Sequence, residues 1–157
     1  MSKDLKSRLR YFKPYEFHGF WSVMDETLVL FLDEFRHRWG APVRVSTAYG
    51  AVGRSQGRGF HNYHKHGSVK AIDILPSGLY TADDVNRALD ILRDIVEDMD
   101  IPHWGFGLYP KWASGVGIHL DVGDRGKPDG FASWSALPTG RNGKQEYYGL
   151  ERGINEL

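Results

Sequence analysis

Two short apolar segments of this chain each carry a polar side chain at their centre, and they constrain the fold more than any other feature. Residues 71–75 read Ala-Ile-Asp-Ile-Leu around Asp73, and residues 117–122 read Gly-Ile-His-Leu-Asp-Val around His119. Both patterns are typical of strands, and in the second strand His119 and Asp121 share one face. A carboxylate buried among such neighbours needs a partner, because its desolvation is otherwise too costly. We therefore expect a fold that brings a partner to Asp73.

The composition excludes several classes of protein. The 20 basic and 20 acidic residues cancel, so bulk charge gives no reason to expect nucleic-acid binding. The chain has no cysteine, which excludes thiolate metal sites, disulfides and a cysteine nucleophile. No apolar run approaches the roughly 18 residues that span a bilayer, and the charged N-terminal segment lacks the apolar core of a secretory signal. We expect a monomer synthesised in the cytoplasm, with no nucleic-acid or membrane partner.

Hydrophobic periodicity predicts an α+β fold. Apolar residues at helical spacing predict one helix over residues 24–39, and a second helix begins at the capping residue Thr81 and ends near Asp100. Short strands are predicted within residues 43–49, 71–75, 104–108 and 117–122. This order favours a small antiparallel sheet with flanking helices. We expect a single domain over residues 1–157, with its core at about 11–123 and a polar C-terminal extension.

Histidines are the natural partners for Asp73. Three of the seven histidines lie close together just before the strand that contains it. With His66 and His119, Asp73 forms a candidate set of two imidazoles and one carboxylate, which binds Zn²⁺ while leaving a position open for water. Two alternatives remain open on the residues alone. One is a salt bridge from Asp73 to Arg44 or Lys70, and the other is a single buried hydrogen bond between the histidine and the aspartate without a metal.

Several segments follow, in order, the plan of a known family. Asp73 stands seven positions after His66, with Ala71 and Ile72 before it, and Ile118-His119-Leu120-Asp121-Val122 comes much later. Other matches are a Phe-x-x-x-Glu-Phe segment, a Pro-x-x-x-Ser-x-x-Tyr strand and a Gly-x-Gly-x-Tyr strand, at residues 12–17, 42–49 and 105–109. Over about residues 11–123 the chain resembles the M15 family of zinc peptidases. That family includes D-Ala-D-Ala carboxypeptidases and L-alanyl-D-glutamate endopeptidases, and it shares its fold with the Hedgehog signalling domain.

The resemblance implies a cofactor, a reaction and a substrate. It implies that His66, Asp73 and His119 hold Zn²⁺, which lowers the pKa of a bound water and polarises the scissile carbonyl while a carboxylate accepts the water's proton. The substrates would be the stem peptides of peptidoglycan, so the protein would act at the bacterial cell wall. The missing signal segment suits a bacteriophage lysis protein (an endolysin) or a virion component.

The chain departs from the family pattern at positions that usually assist catalysis. Gly50 stands where relatives carry an arginine that can stabilise the oxyanion, so Arg54 or Arg58 is the candidate substitute. Val116 stands where many relatives carry the general base, so Asp121 becomes the candidate base. The alternative role for Asp121 is to orient a ligand histidine.

Two more histidines enter the candidate site. His64 replaces the serine that the family usually carries two positions before the first ligand, and Val69 replaces its usual glycine. We consider His64 and His103 lesser candidates for proton transfer or for stabilising the transition state.

Three functional hypotheses follow. The leading one is a zinc-dependent carboxypeptidase or endopeptidase that cleaves peptidoglycan stem peptides. The second is a non-catalytic, zinc-containing binding or structural module on the same fold, which the departures at Gly50 and Val116 motivate. The third is a metal-free domain in which the histidines are structural.

Overall fold

Helices and 3₁₀ turns surround one sheet in the computed structural model, which describes residues 4–157. The helices of this part of the chain are α1 (Leu5–Arg8), α2 (Glu26–Trp39), α3 (Tyr63–His66), α4 (Ala82–Asp98) and α5 (Leu150–Ile154). Two 3₁₀ turns, Pro14–Phe17 and Trp21–Val23, precede α2. The two long helices match the predicted ones closely. Within residues 4–157, none of the helices has the length and apolar character needed to cross a membrane.

The sheet has six strands in the order β1-β2-β4-β3-β5-β6. They are β1 (Val43–Val45), β2 (Ala71–Pro76), β3 (Trp104–Trp112), β4 (Gly115–Asp121), β5 (Phe131–Pro138) and β6 (Gln145–Tyr148). Neighbouring strands are antiparallel except β3 and β5, which are parallel. The α+β class is confirmed, whereas the small antiparallel sheet is wrong, because the sheet is larger and mixed.

The C-terminal segment accounts for the difference. It was expected to be a polar extension, yet it adds β5 and β6 to the sheet and packs α5 beside β5 and β3. The buried residues of β5 are small, namely Ala132, Ser135 and Ala136. Such residues give no apolar run, so hydrophobic patterning does not reveal the strand.

The two faces of the central strands have different environments. In β4, Ile118 and Leu120 join a hydrophobic core that also contains the apolar residues of α2 and α4. The N-cap of α2 is Asp25, whose carboxylate accepts a hydrogen bond from the Leu28 amide, and the N-cap of α4 is Thr81, in a reciprocal capping arrangement with Asp84. Strand periodicity turns His119 to the other face of β4. The fold therefore keeps the polar residues of the central strands apart from the helix-covered core.

Candidate metal centre

A row of paired residues crosses four strands at the centre of the sheet. Asp73 of β2 lies directly opposite His119 of β4, which lies opposite Gly107 of β3, which in turn lies opposite Trp134 of β5. A β-carbon on Gly107 would approach the Trp134 indole to 2.7 Å. The glycine thus leaves room for the Trp134 ring, whose centroid lies 5.0 Å from that of His119. Strand register, more than loop structure, brings Asp73 and His119 together.

The third member of the cluster is His61, which comes from the loop before α3. The carbonyl of Val52 lies 2.6 Å from His61 Nδ1, and the His61 side chain is buried. The next residue, Asn62, accepts hydrogen bonds from the first amides of α3 and donates to the carbonyl of Gly57. The N-cap at Asn62 therefore fixes where the loop ends and holds His61 over the sheet.

His61, Asp73 and His119 form a group whose ligand atoms all lie within 4.8 Å of one another. Asp73 Oδ1 lies 3.5 Å from His61 Nε2 and 3.2 Å from His119 Nδ1. In a tetrahedral site with bonds of about 2.05 Å to nitrogen and oxygen, neighbouring ligand atoms are about 3.3 Å apart. The two distances to Asp73 are close to this value, and all three ligand atoms lie near enough to one another that the group could hold a metal ion.

The hydrogen bonds of the two imidazoles orient their free nitrogens towards Asp73. The Val52 carbonyl can only accept, so His61 Nδ1 carries the proton and Nε2 presents its lone pair. His119 Nε2 lies 2.8 Å from Asp121 Oδ2 and donates to it, which leaves Nδ1 to face Asp73. Ligand histidines commonly donate their second N–H to a carbonyl or a carboxylate in this way. The nitrogen that each imidazole turns to Asp73 is therefore a position for either a proton or a metal ion.

The electrostatics of the cluster favour a cation at this position. Burial alone would raise the pKa of Asp73, but its hydrogen bonds with His119 and His61 outweigh burial and hold that pKa well below its usual range. Burial would lower the pKa of His119, but Asp121 and Asp73 raise it to about 9. The two carboxylates therefore stabilise positive charge between them, which a proton supplies in the absence of a metal.

A cavity of about 320 Å³ opens beside the cluster. His61 and His119 line it together with Arg54, Phe60, Tyr109 and Trp134. An open approach distinguishes a reactive metal site from a purely structural one, because a structural site is closed by protein ligands. The cluster can therefore receive a molecule from solvent.

Two hydrogen-bond donors line this cavity near Asp73. The Arg54 side chain folds back so that Nε donates to the carbonyl of Gly50, and its Nη2 lies 3.9 Å from Asp73 Oδ2. The Tyr109 hydroxyl accepts from the indole of Trp134. Burial, and next the charge of Asp73, raise the pKa of Tyr109, so the phenol keeps its proton. Arg54 and Tyr109 thus offer a charged and a neutral donor to the cavity.

The group that the structure brings together differs from the predicted ligand set at one position. The sequence-based choice was His66, but His66 lies outside the cluster, with its ring against Phe60 and its Nε2 3.3 Å from the carbonyl of Arg58. The one-turn helix α3 carries His66 away from Asp73, so His61 occupies the place assigned to it. The signal for His61 was the residue after it, because Asn62 followed by a short helical run indicates an N-cap.

The other candidate residues lie at different distances from the cluster. His64 is exposed, and its ring lies tilted against that of Tyr63 with the centroids 4.2 Å apart. His103 lies in a second cavity of about 410 Å³, with Nε2 3.5 Å from Asp124 Oδ2. Arg58 is exposed and its carbonyl contacts His66. Of the predicted accessory residues, Arg54 and Asp121 are the ones that the structure brings to the cluster.

The alternatives for Asp73 can also be placed. Lys70 pairs with Asp25 at 2.7 Å instead of with Asp73. Arg44 is exposed and lines a cavity beside Leu75. The hydrogen bond between His119 and Asp73 is present, but His61 adds a second imidazole to the same carboxylate oxygen. Asp73 therefore contacts two imidazoles, and neither the predicted salt bridge nor a single histidine–aspartate hydrogen bond describes its surroundings.

Asp121 is fully buried, and both of its carboxylate oxygens accept hydrogen bonds from protein groups. Its Oδ1 accepts from the amide of Gly123 at 3.1 Å and from Arg125 at 2.7 Å, and its Oδ2 accepts from His119 and from Arg125. Burial would raise the pKa of Asp121, but Arg125 and His119 lower it to about 2. An ionised carboxylate with this set of partners fits the orienting role better than that of a general base.

Searches against protein-family models, curated proteins and solved structures gave no match to this chain. What the structure shows is a buried group of His61, Asp73 and His119 that could hold a metal ion, within an α+β fold.

Proposed function

We propose that this protein is a zinc-dependent hydrolase of peptide bonds in peptidoglycan stem peptides. The observation that carries the proposal is the buried group of His61, Asp73 and His119 beside an open cavity. Two imidazoles and a carboxylate with an accessible position are the donor set of catalytic zinc sites. The substrate class rests on the motif order that resembles the M15 peptidases.

Zinc fits the donors of this chain. Nitrogen and oxygen ligands suit Zn²⁺, which when bound supplies Lewis acidity and lowers the pKa of a coordinated water. The same donor set also serves iron(II) in some proteins. Metal analysis of the purified protein therefore measures both elements, and near-stoichiometric iron in place of zinc would overturn the hydrolase proposal.

Arg54 and Tyr109 supply the stabilising donors in this proposal. Both line the cavity, and Arg54 approaches Asp73 from the solvent side with about half of its side chain exposed. Donors aimed at the position where negative charge develops on a carbonyl oxygen lower the barrier to amide hydrolysis. Arg54 thus takes the role that the arginine at the Gly50 position takes in the M15 pattern.

Asp121 holds His119 in orientation in this proposal and does not accept the proton. Its oxygens are engaged by Arg125, His119 and Gly123, and no part of the side chain is exposed. None of the described residues that line the cavity is a carboxylate. Proton transfer would then pass to Asp73 itself or to a group of the substrate.

The surroundings of the cavity favour cleavage of an internal bond. The cavity shares Phe60 with a neighbour of about 410 Å³ and Arg54 with another of about 450 Å³. Cavities beyond Phe60 and beyond Arg54 leave space for a substrate peptide that continues on both sides of the bond to be cleaved. A stem peptide whose C-terminal carboxylate is amidated tests this point, since an endopeptidase cleaves it as well as the free acid and a carboxypeptidase does not.

A non-catalytic zinc-containing module is the second candidate. The absence of a free carboxylate among the described cavity residues favours it, because metal-assisted hydrolysis commonly uses one as a base. Such a module would bind zinc and wall fragments and release no product.

Digestion of peptidoglycan separates the two candidates. Zinc-loaded protein is incubated with peptidoglycan of several wall types, and the released fragments are identified by mass spectrometry. We expect fragments with new peptide termini from the wild type and none from the Asp73→Asn variant. If the wild type holds stoichiometric zinc and still releases nothing above that control, the hydrolase proposal fails and the binding module stands.

A further inference from the structure

Arg125, in the loop after β4, is connected to the cluster through hydrogen bonds to Asp121. Its two terminal nitrogens each donate to one oxygen of Asp121, at 2.7 and 2.6 Å. Its guanidinium also lies over two rings, 4.7 Å from the centroid of Phe60 and 5.0 Å from that of Trp134. A two-pronged hydrogen bond combined with aromatic stacking on both rings restricts the side chain strongly.

Strand β3 leaves room for this pair. Gly105 lies opposite Asp121 in the sheet. A β-carbon at Gly105 would approach Asp121 Oδ2 to 2.5 Å and Arg125 Nη1 to 2.6 Å. Any larger residue at position 105 would displace the carboxylate, the guanidinium or both, so the sequence at three separate positions fits one arrangement.

The contacts continue from Arg125 to the ligand set. Asp121 Oδ2 accepts from Arg125 Nη2 and from His119 Nε2, and His119 Nδ1 faces Asp73. Asp121 accepts from both terminal nitrogens of Arg125, which takes two of the five N–H donors of the guanidinium and fixes its plane. Its hydrogen bonds to Asp121 connect it to His119, while one side of Arg125 also lines the cavity beside the cluster.

We propose that Arg125 is a positioning residue that fixes Asp121 and, through it, the orientation of His119 towards the bound metal. This inference rests on the proposed metal site and adds a residue from outside the ligand set to it. The two-pronged geometry is the important property, so lysine, which keeps the charge without the planar fork, does not replace arginine fully. Phe60 and Trp134 contribute by limiting the rotation of the guanidinium.

Metal affinity and the spectrum of a bound probe ion test the proposal. Metal-free wild type, Arg125→Lys, Arg125→Gln, Asp121→Asn and the Arg125→Gln/Asp121→Asn double variant are titrated with Zn²⁺ against a competing chelator. The visible spectrum of each protein is recorded with Co²⁺, which reports ligand geometry, and each metal-free protein is unfolded in urea. The matched control is Arg93→Gln, because Arg93 lies over the Phe131 ring and near Asp90 at an exposed position.

We expect Arg125→Gln to weaken zinc binding about tenfold, within the range found when partners of ligand histidines are removed. Arg125→Lys should fall between it and the wild type, and both should alter the Co²⁺ spectrum, whereas Arg93→Gln should change neither quantity. If Arg125 acts through Asp121, the double variant binds zinc no more weakly than Asp121→Asn.

Three results would overturn the proposal. Wild-type affinity and an unchanged spectrum in folded Arg125→Lys, or in Arg125→Gln if it folds, would exclude the positioning role. If the zinc affinity of the double variant falls by the product of the two factors found for the single variants, Arg125 acts independently of Asp121. A wild type that binds no metal would remove the metal site and this inference together, and that result is distinct from the first two.

Discussion

Asp33 and Asp73 are both buried carboxylates, but their surroundings differ in kind. Asp33, on α2, accepts hydrogen bonds from the amides of Arg10, Tyr11 and Phe12 at 3.1, 3.0 and 3.4 Å. Its charge is stabilised by fixed backbone donors, and it ties the N-terminal segment to the helix. The side chain of Asp73 has no backbone donor among the described contacts.

The partners of Asp73 are the side chains of His61 and His119, at 3.5 and 3.2 Å, and of Arg54 at 3.9 Å. An imidazole nitrogen that faces a carboxylate can carry either a proton or a metal ion, so the charge of Asp73 is compensated by partners that a metal can replace. The comparison teaches that burial alone does not identify a functional acid. The type of hydrogen-bonding partner distinguishes the structural carboxylate from the one that can bind a metal.

The largest expected effect is the loss of metal in Asp73→Asn. Removing one of three protein ligands should cost about 3 kcal/mol or more of binding free energy, which is over 100-fold in affinity. The measurement is metal content after dialysis, by elemental analysis. Asp33→Asn should keep the metal of the wild type. Near-stoichiometric metal in Asp73→Asn would remove the distinction between the two aspartates.

Asp121→Asn should have the next largest effect. An asparagine can still contact His119, but it cannot accept both charged hydrogen bonds that Arg125 donates to the Asp121 carboxylate. Metal affinity should therefore fall roughly 10- to 100-fold. A titration with zinc gives the affinity, and peptide release at saturating zinc gives the activity. Full retention of affinity combined with abolished turnover would instead make Asp121 the general base.

Asp33→Asn should lower the free energy of unfolding by about 1–3 kcal/mol. In the aspartate both carboxylate oxygens accept from backbone N–H groups, whereas the side-chain NH₂ of asparagine would face one of those donors and leave it without an acceptor. The loss should be the same with and without zinc, since Asp33 lies outside the metal cluster. Urea unfolding under both conditions measures it. Asp73→Asn should behave differently by losing the zinc-dependent part of the stability. A zinc-dependent loss in Asp33→Asn would break the comparison.

The smallest effect is expected for Glu34→Gln on the partly exposed face of α2. Burial alone would raise the pKa of Glu34, but Arg38 and Arg10 lower it below its ordinary value of 4.5. Its contribution is therefore present above pH 4.5 and is lost as the pH falls. We expect a deficit of less than about 1 kcal/mol at pH 7 that is smaller at pH 3.

Urea unfolding of the wild type and Glu34→Gln at both pH values measures this deficit. A difference that grows as the pH falls would have the wrong sign for a carboxylate with a lowered pKa.

The sequence predicts the parts of the site that depend on local pattern. Asp73 and His119 stand out because each is polar within an apolar strand, and strand alternation places His119 and Asp121 on one face. The long helices are predicted for the same reason, since their apolar periodicity is strong. These features need only neighbours along the chain.

The remaining parts depend on contacts that no local pattern carries. Trp134 and Arg125 reach the cluster because β5 pairs with β3 in parallel and because Gly105 and Gly107 leave space. His61 replaces His66 because α3 begins at Asn62 and turns the later histidine away. A spacing rule in sequence cannot distinguish two histidines five positions apart when a helical turn lies between them.

Zinc titration of metal-free wild type, His61→Ala and His66→Ala tests the central claim most directly. We predict that the wild type and His66→Ala each bind one ion with similar affinity, and that His61→Ala loses more than about 100-fold, as expected for a ligand. Retained affinity in His61→Ala together with its loss in His66→Ala would contradict the metal centre described for this fold.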